Sequence, residues 1–113
     1  MLHESFPDII KKLPSADISI DGVQAWIAQG KKFQIVFFEI EAGKKIPPHN
    51  HEAQFGIVVE GEMTLTINGK AKRCRKGDTY YIPKGVTHQA EFHKFFRAID
   101  FFDEPARYKS KEV

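Results

Sequence analysis

Residues 62–69 read EMTLTING, and this short stretch decides the class of the fold. Met63, Leu65 and Ile67 alternate with Thr64 and Thr66. On an extended chain successive side chains point to opposite faces, so the alternation describes a strand with one apolar and one polar face. Asn68-Gly69 follows at once, a dipeptide suited to a type I′ turn, where both central residues need positive φ. A tight hairpin is expected here. Its returning strand falls in residues 70–76 (KAKRCRK), whose cations should point outward along a solvated sheet edge and discourage edge-to-edge pairing.

Outward from this hairpin the chain keeps the same grain. Glu60-Gly61-Glu62 marks a bend before it, Lys76-Gly77-Asp78 a bend after it, and Pro83 and Gly85 close a strand over residues 79–82. From about Ile18 onward the apolar runs are short and broken by turn residues, which predicts an all-β barrel or sandwich. Trp26, with Val23 and Ile27, reads as an early core strand. Residues 33–40 (FQIVFFEI) and 95–102 (FFRAIDFF) carry large apolar side chains on both strand faces. One face lines the interior, so the other needs a cover. A homodimer is expected to supply it, with the N-terminal segment as the alternative cover. The organisation read from the chain is an N-terminal extension over residues 1–21, a barrel over 22–104 and a polar tail over 105–113. The tail is expected to fray beyond Tyr108 and to carry no chemistry. Pro7 and Pro14 bracket a possible helical turn.

Composition narrows the function. A length of 113 residues with 42% hydrophobic content fits one domain with one core. Seventeen Lys and Arg against fifteen Asp and Glu give a net charge of +2, too weak a field for a dedicated nucleic-acid binder. A lone cysteine, Cys74, permits no intrachain disulfide, which fits a reducing compartment. No window approaches the roughly 20 apolar residues of a membrane span, and the opening residues hold no signal-peptide core. A soluble cytoplasmic protein without a nucleic-acid or membrane partner is expected.

The chemistry gathers around histidine. His49 and His51 are two apart, so on an extended strand both imidazoles project from one face and can share an ion. Pro47-Pro48 stiffens their approach. His88 lies far along the chain, after the turn at residues 83–87, where a returning strand would place it beside the pair. Glu52, next to His51, should point to the opposite face, and Glu60 reads as a solvated bend residue. His3 and His93 read as structural or exposed. Of Tyr80 and Tyr81, pleating sends one inward and one outward, and packing is the expected role. No catalytic residue is assigned.

These residues carry a specific resemblance. Gly43, five residues, His49-Asn50-His51, then Gln54, six residues and Gly61 resemble the first motif of the cupin superfamily. Gly77, five residues, Pro83-Lys84-Gly85, two residues and His88 resemble its second. With flanking strands the two motifs span about residues 33–100. The resemblance implies a double-stranded β-helix, or jelly-roll barrel, holding one divalent transition metal (Zn, Ni, Fe or Mn) through His49, His51, Gln54 and His88. Two departures stand out. Gln54 replaces the glutamate usual as fourth ligand, one residue closer to the second histidine, and Phe92 stands where an asparagine is common. Three neutral imidazoles and a neutral amide leave the ion's charge uncompensated, which strengthens its pull on a carboxylate, enolate or hydroxide. The implied function is a small metalloenzyme acting on an anionic or enolisable molecule, by dioxygenase or by Lewis-acid isomerase, cyclase or lyase chemistry. The alternative is a metal-free or metal-assisted barrel that binds or senses a small molecule without catalysis.

Overall fold

A computed structural model describes residues 4–111, so the expectation for His3 falls outside the described residues. After one short helix, α1 (Asp8–Lys11), the chain forms β1 (Val23–Gln29), β2 (Gln34–Ile40), β3 (Lys45–His49), β4 (Gln54–Glu60), β5 (Glu62–Ile67), β6 (Lys70–Arg75), β7 (Thr79–Ile82), β8 (His88–Phe92) and β9 (Phe96–Phe102). They pair antiparallel in two sheets, ordered β1-β2-β9-β4-β7 and β3-β8-β5-β6. This is the jelly-roll barrel expected from the motifs. The hairpin between β5 and β6 turns on Asn68 and Gly69 with φ of 49° and 79°, as the dipeptide predicts.

The core lies between the two sheets. Val36, Phe38 and Ile40 of β2, Val58 of β4, Met63 and Leu65 of β5, Phe92 of β8 and Phe96, Ala98 and Phe102 of β9 are all buried there. Cys74 is buried with them. It faces away from the cations of β6, and burial pushes its thiol above the ordinary value. Arg73 and Arg75, on the exposed side of that edge strand, both pair with Glu62.

The outer face of the larger sheet is covered only in part. Phe6 packs edge-on against Trp26 and Phe37, at 6.4 and 5.6 Å between ring centroids. The buried Glu39 carboxylate anchors this segment by accepting from Ser5 Oγ at 2.6 Å and from the Phe6 N–H at 2.8 Å. Arg97 lies under the Phe6 ring and donates to Glu60 at 2.7 Å and to Glu4 at 3.3 Å. The N-terminal segment therefore covers the β1–β2 side. Phe55, Ile57, Tyr81 and Phe101, on β4, β7 and β9, stay exposed.

Two sequence expectations need correcting here. Glu60 is not a solvated bend residue, because it ends β4 and takes the guanidinium of a buried arginine. Nor, among the described residues, does the tail come loose beyond Tyr108. Asp17 N–H donates to the Lys109 carbonyl at 2.7 Å, Ala16 bridges Ser110, and Lys111 N–H donates to the Ser15 carbonyl at 2.8 Å. Residues 105–111 thus form a strap whose end, residues 109–111, is laced to the N-terminal segment.

Candidate metal centre

His49 closes β3 and His88 opens β8, and the two stand directly opposite each other in the sheet. A register irregularity between Ile46 and His49, where Pro47-Pro48 withholds two backbone donors, interrupts the pairing just before them. His51 sits beyond the strand, in the connection to β4. Ring centroids lie 5.2 Å apart for His49 and His51, 4.2 Å for His49 and His88, and 4.7 Å for His51 and His88. One nitrogen from each ring falls within 4.8 Å of the other two.

The backbone fixes which nitrogen is offered. Each Nδ1 lies against a carbonyl oxygen: His49 on Pro47 at 2.9 Å, His51 on Glu52 at 2.7 Å, His88 on Val86 at 3.0 Å. A carbonyl only accepts, so each Nδ1 carries the proton and each Nε2 keeps a free lone pair. Desolvation lowers His51 to about 4 and lowers His88 as well, with further depression from the charge of Arg107, so both rings are neutral at physiological pH. Three imidazoles, each oriented by a carbonyl behind it, match the donor set of a divalent transition ion.

Gln54 lines the same cavity as the three histidines. Its Nε2 donates to Asp100 Oδ1 at 2.8 Å, which leaves Oε1 as the atom it can offer an ion. Asp100 also accepts from the Tyr80 hydroxyl at 2.7 Å. Burial pushes Asp100 up to about 7, against the two donated hydrogen bonds that pull it down, and raises Tyr80 well above the phenol range. Gly56 makes this contact possible. It stands between Tyr80 and Asp100 in the sheet register, and a Cβ there would overlap the Tyr80 ring and Asp100 Oδ1. Tyr81, its neighbour, points outward into solvent. Glu52 pairs with Lys84 at 3.5 Å, on the exposed side expected for it, and His93 bonds Thr64 Oγ1 at 2.7 Å in an exposed position.

The cavity measures about 400 Å³. Its floor is apolar, built from Ile40, Met63, Leu65, Phe92 and Phe96, so Phe92 forms the apolar wall expected where asparagine is common. Its polar rim holds the histidines, Gln54, Asp100 and, from the strap, Arg107 and Tyr108. The Arg107 guanidinium stacks on Tyr108 at 4.4 Å and lies 5.8 Å from the Phe102 ring, and its buried Nε has no hydrogen-bond partner. The tail, expected to carry no chemistry, thus brings a cation to the cavity. Asp100, Gly56 and Arg107 are absent from the sequence reading. Asp100 had a signal: in the run FRAIDFF it shares a face with Phe96, Ala98 and Phe102, an unlikely place for a carboxylate without a purpose. Arg107 had none.

Comparisons with known proteins show what the chain as a whole is similar to. Residues 36–96 match the family model described as a cupin domain. The structure superposes on KdgF from Halomonas sp. with a TM-score of 0.73 at 28% identity, covering 81% of this chain and 88% of that one. An RmlC-like cupin from Shewanella frigidimarina gives a TM-score of 0.76 at 28% identity, covering 95% and 94%. In sequence, 67 residues (58% of this chain) are 33% identical to the mannose-1-phosphate guanylyltransferase ManC of Salmonella typhimurium, of which they span 14%. With more than half its length inside the family model and both histidine motifs folded into one cluster, this chain belongs to the cupin family.

Proposed function

We propose that this chain is a metal-dependent enzyme acting on a small carboxylate-bearing or enolisable molecule, with His49, His51, Gln54 and His88 as the ligands of one ion. The observation that carries the reading is the convergence of three imidazoles, each held through its Nδ1 by a carbonyl behind the ring. A bound divalent ion (Zn, Ni, Fe or Mn) would supply a positive centre able to polarise a substrate oxygen or, for a redox-active metal, to handle oxygen. The rest falls to the protein. Asp100 holds the Gln54 amide with its oxygen free, and shares its other hydrogen bond with Tyr80 across the gap left by Gly56. Arg107 lines the cavity and brings its guanidinium charge within reach of a carboxylate bound there. The apolar floor keeps water from the far end of the substrate.

The homodimer and the cytoplasmic setting belong to the same proposal. A second copy would cover Phe55, Ile57, Tyr81 and Phe101, the half of the outer face that Phe6 does not reach. A buried free thiol suits a reducing compartment. Among the described residues no helix is long and apolar enough to cross a membrane.

The test is metal content per chain, by elemental mass spectrometry, in protein purified without metal supplements. Near-stoichiometric metal is expected in the wild type and its loss in the His49→Ala/His88→Ala variant. If neither protein carries metal, the enzyme reading gives way to a ligand-binding barrel.

A further inference from the structure

Gln34 is 1% exposed and lies outside the histidine cluster, yet every hydrogen-bonding group of its side chain is used. Its Nε2 donates to the Tyr108 carbonyl at 2.9 Å and to Gln29 Oε1 at 2.8 Å, while its Oε1 accepts the Tyr108 N–H at 3.1 Å. This reciprocal pair does for one residue of the strap what a neighbouring strand would do. Gln29 adds a second pin, donating to the Pro105 carbonyl at 2.8 Å. Arg107 lies between these pins, one residue from the Gln34 contact.

The register shows why a glutamine at this position matters to the cavity. Gln34 of β2, Phe102 of β9 and Gln54 of β4 form one row across the sheet, all on its inner side. The first holds the strap, the second carries the Arg107 guanidinium over its ring, and the third lines the histidine site. Arg107 reaches the cavity by stacking on Tyr108, whose backbone is the part that Gln34 grips. A guanidinium nitrogen buried without an acceptor is costly and holds its place only if the backbone that carries it is fixed.

We propose that Gln34 is a positioning residue: by clamping the Tyr108 backbone it fixes Arg107 over the site and so sets the affinity for carboxylate ligands without touching them. This rests on the reading of the cavity as a carboxylate site given above. Removing the amide leaves the Tyr108 N–H and carbonyl unpaired, and the strap then no longer presents Arg107 in one orientation.

The experiment titrates malonate into zinc-loaded protein by calorimetry, after zinc per chain has been measured. Arg107→Ala and Gln34→Leu are each expected to weaken malonate binding about tenfold with zinc stoichiometry unchanged, the scale of one lost charge-assisted hydrogen bond. If Gln34 acts through Arg107, the double variant binds no worse than Arg107→Ala alone. A purely structural role would make the losses multiply, and that result, or unchanged affinity in Gln34→Leu, overturns the proposal. Should Gln34→Leu fail to fold, the surface variant Gln29→Ala replaces it, since it removes Gln34's own anchor and the Pro105 pin, with one local bond to the Gly30 carbonyl. It should weaken malonate binding about threefold, again with no added loss on top of Arg107→Ala. Wild type that takes up no zinc would sink the metal reading instead, and the same titrations on metal-free protein would then decide the role of Gln34.

Discussion

β9 presents two faces that alternate residue by residue and share little beyond the strand itself. Inward, Phe96, Ala98, Asp100 and Phe102 are each no more than 2% exposed. Outward, Arg97 is covered by Phe6, while Phe101 is 40% exposed and stacks on Phe33. Composition alone would have put the carboxylate outside and all the phenylalanines inside. The arrangement holds because the buried carboxylate is met by two donors, the Tyr80 hydroxyl and the Gln54 amide. An exposed phenylalanine needs no such provision, because apolar atoms make up much of any protein surface. The difference between the faces is therefore one of satisfaction, and it locates function on the face where a polar group was worth burying.

The sharpest break of this comparison is truncation of one phenylalanine on each face. Phe102→Ala removes a ring packed against Phe38, His51 and Tyr108 and should cost about 3–5 kcal/mol by urea denaturation. Phe101→Ala should cost less than about 1 kcal/mol in the monomer. Equal losses would mean that the two faces are not energetically distinct. Gly56→Ala comes next, at about 1–3 kcal/mol, because the new methyl must push apart Tyr80 and Asp100. A weaker effect would show that the contact across Gly56 is loose.

Asp100 gives the comparison a pH signature. Its folded value is raised to about 7 from 3.8, so the folded state holds this proton more tightly than the unfolded state does. Below about pH 4 both states are protonated and the group is neutral to stability. As pH rises from there the unfolded state ionises first, and stability is lost until about pH 7, above which the deficit is constant. In metal-free protein, Asp100→Asn should therefore gain urea midpoint relative to wild type across that window and level off above it. A difference that stays flat with pH would remove the buried-carboxylate argument.

How much of this was legible depended on how local the signal was. The hairpin at residues 62–75 follows from alternation and one turn dipeptide, and both motifs lie within short spans, so the barrel and the three histidines could be placed from sequence. The pairing of His49 with His51 was read as a strand pattern, whereas β3 ends at His49 and His51 lies in the connection to β4. Asp100 was readable by counting faces but not by composition. Arg107 was not readable, because its place depends on a strap held by Gln29, Gln34 and residues 15–17, contacts with partners more than seventy positions away in the chain. Gly56 was hidden similarly: its meaning lies in the side chains of β7 and β9 beside it.

The smallest expected effect on stability bears on the bare half of the outer face. Phe55 stands between Tyr81 and Phe101 in the register, so the three form an apolar row across β7, β4 and β9 with no charge among them. Phe55→Lys should change monomer stability by no more than about 0.5 kcal/mol, because the side chain is already half in water. Its effect on assembly should be large by contrast. If a second copy covers this row, wild type sediments as a dimer at micromolar concentration and the lysine variant as a monomer, since pairing across the dimer would bury an unpaired cation. Wild type that sediments as a monomer at every concentration would leave Phe6 as the cover of its own half and the second row as plain exposed surface.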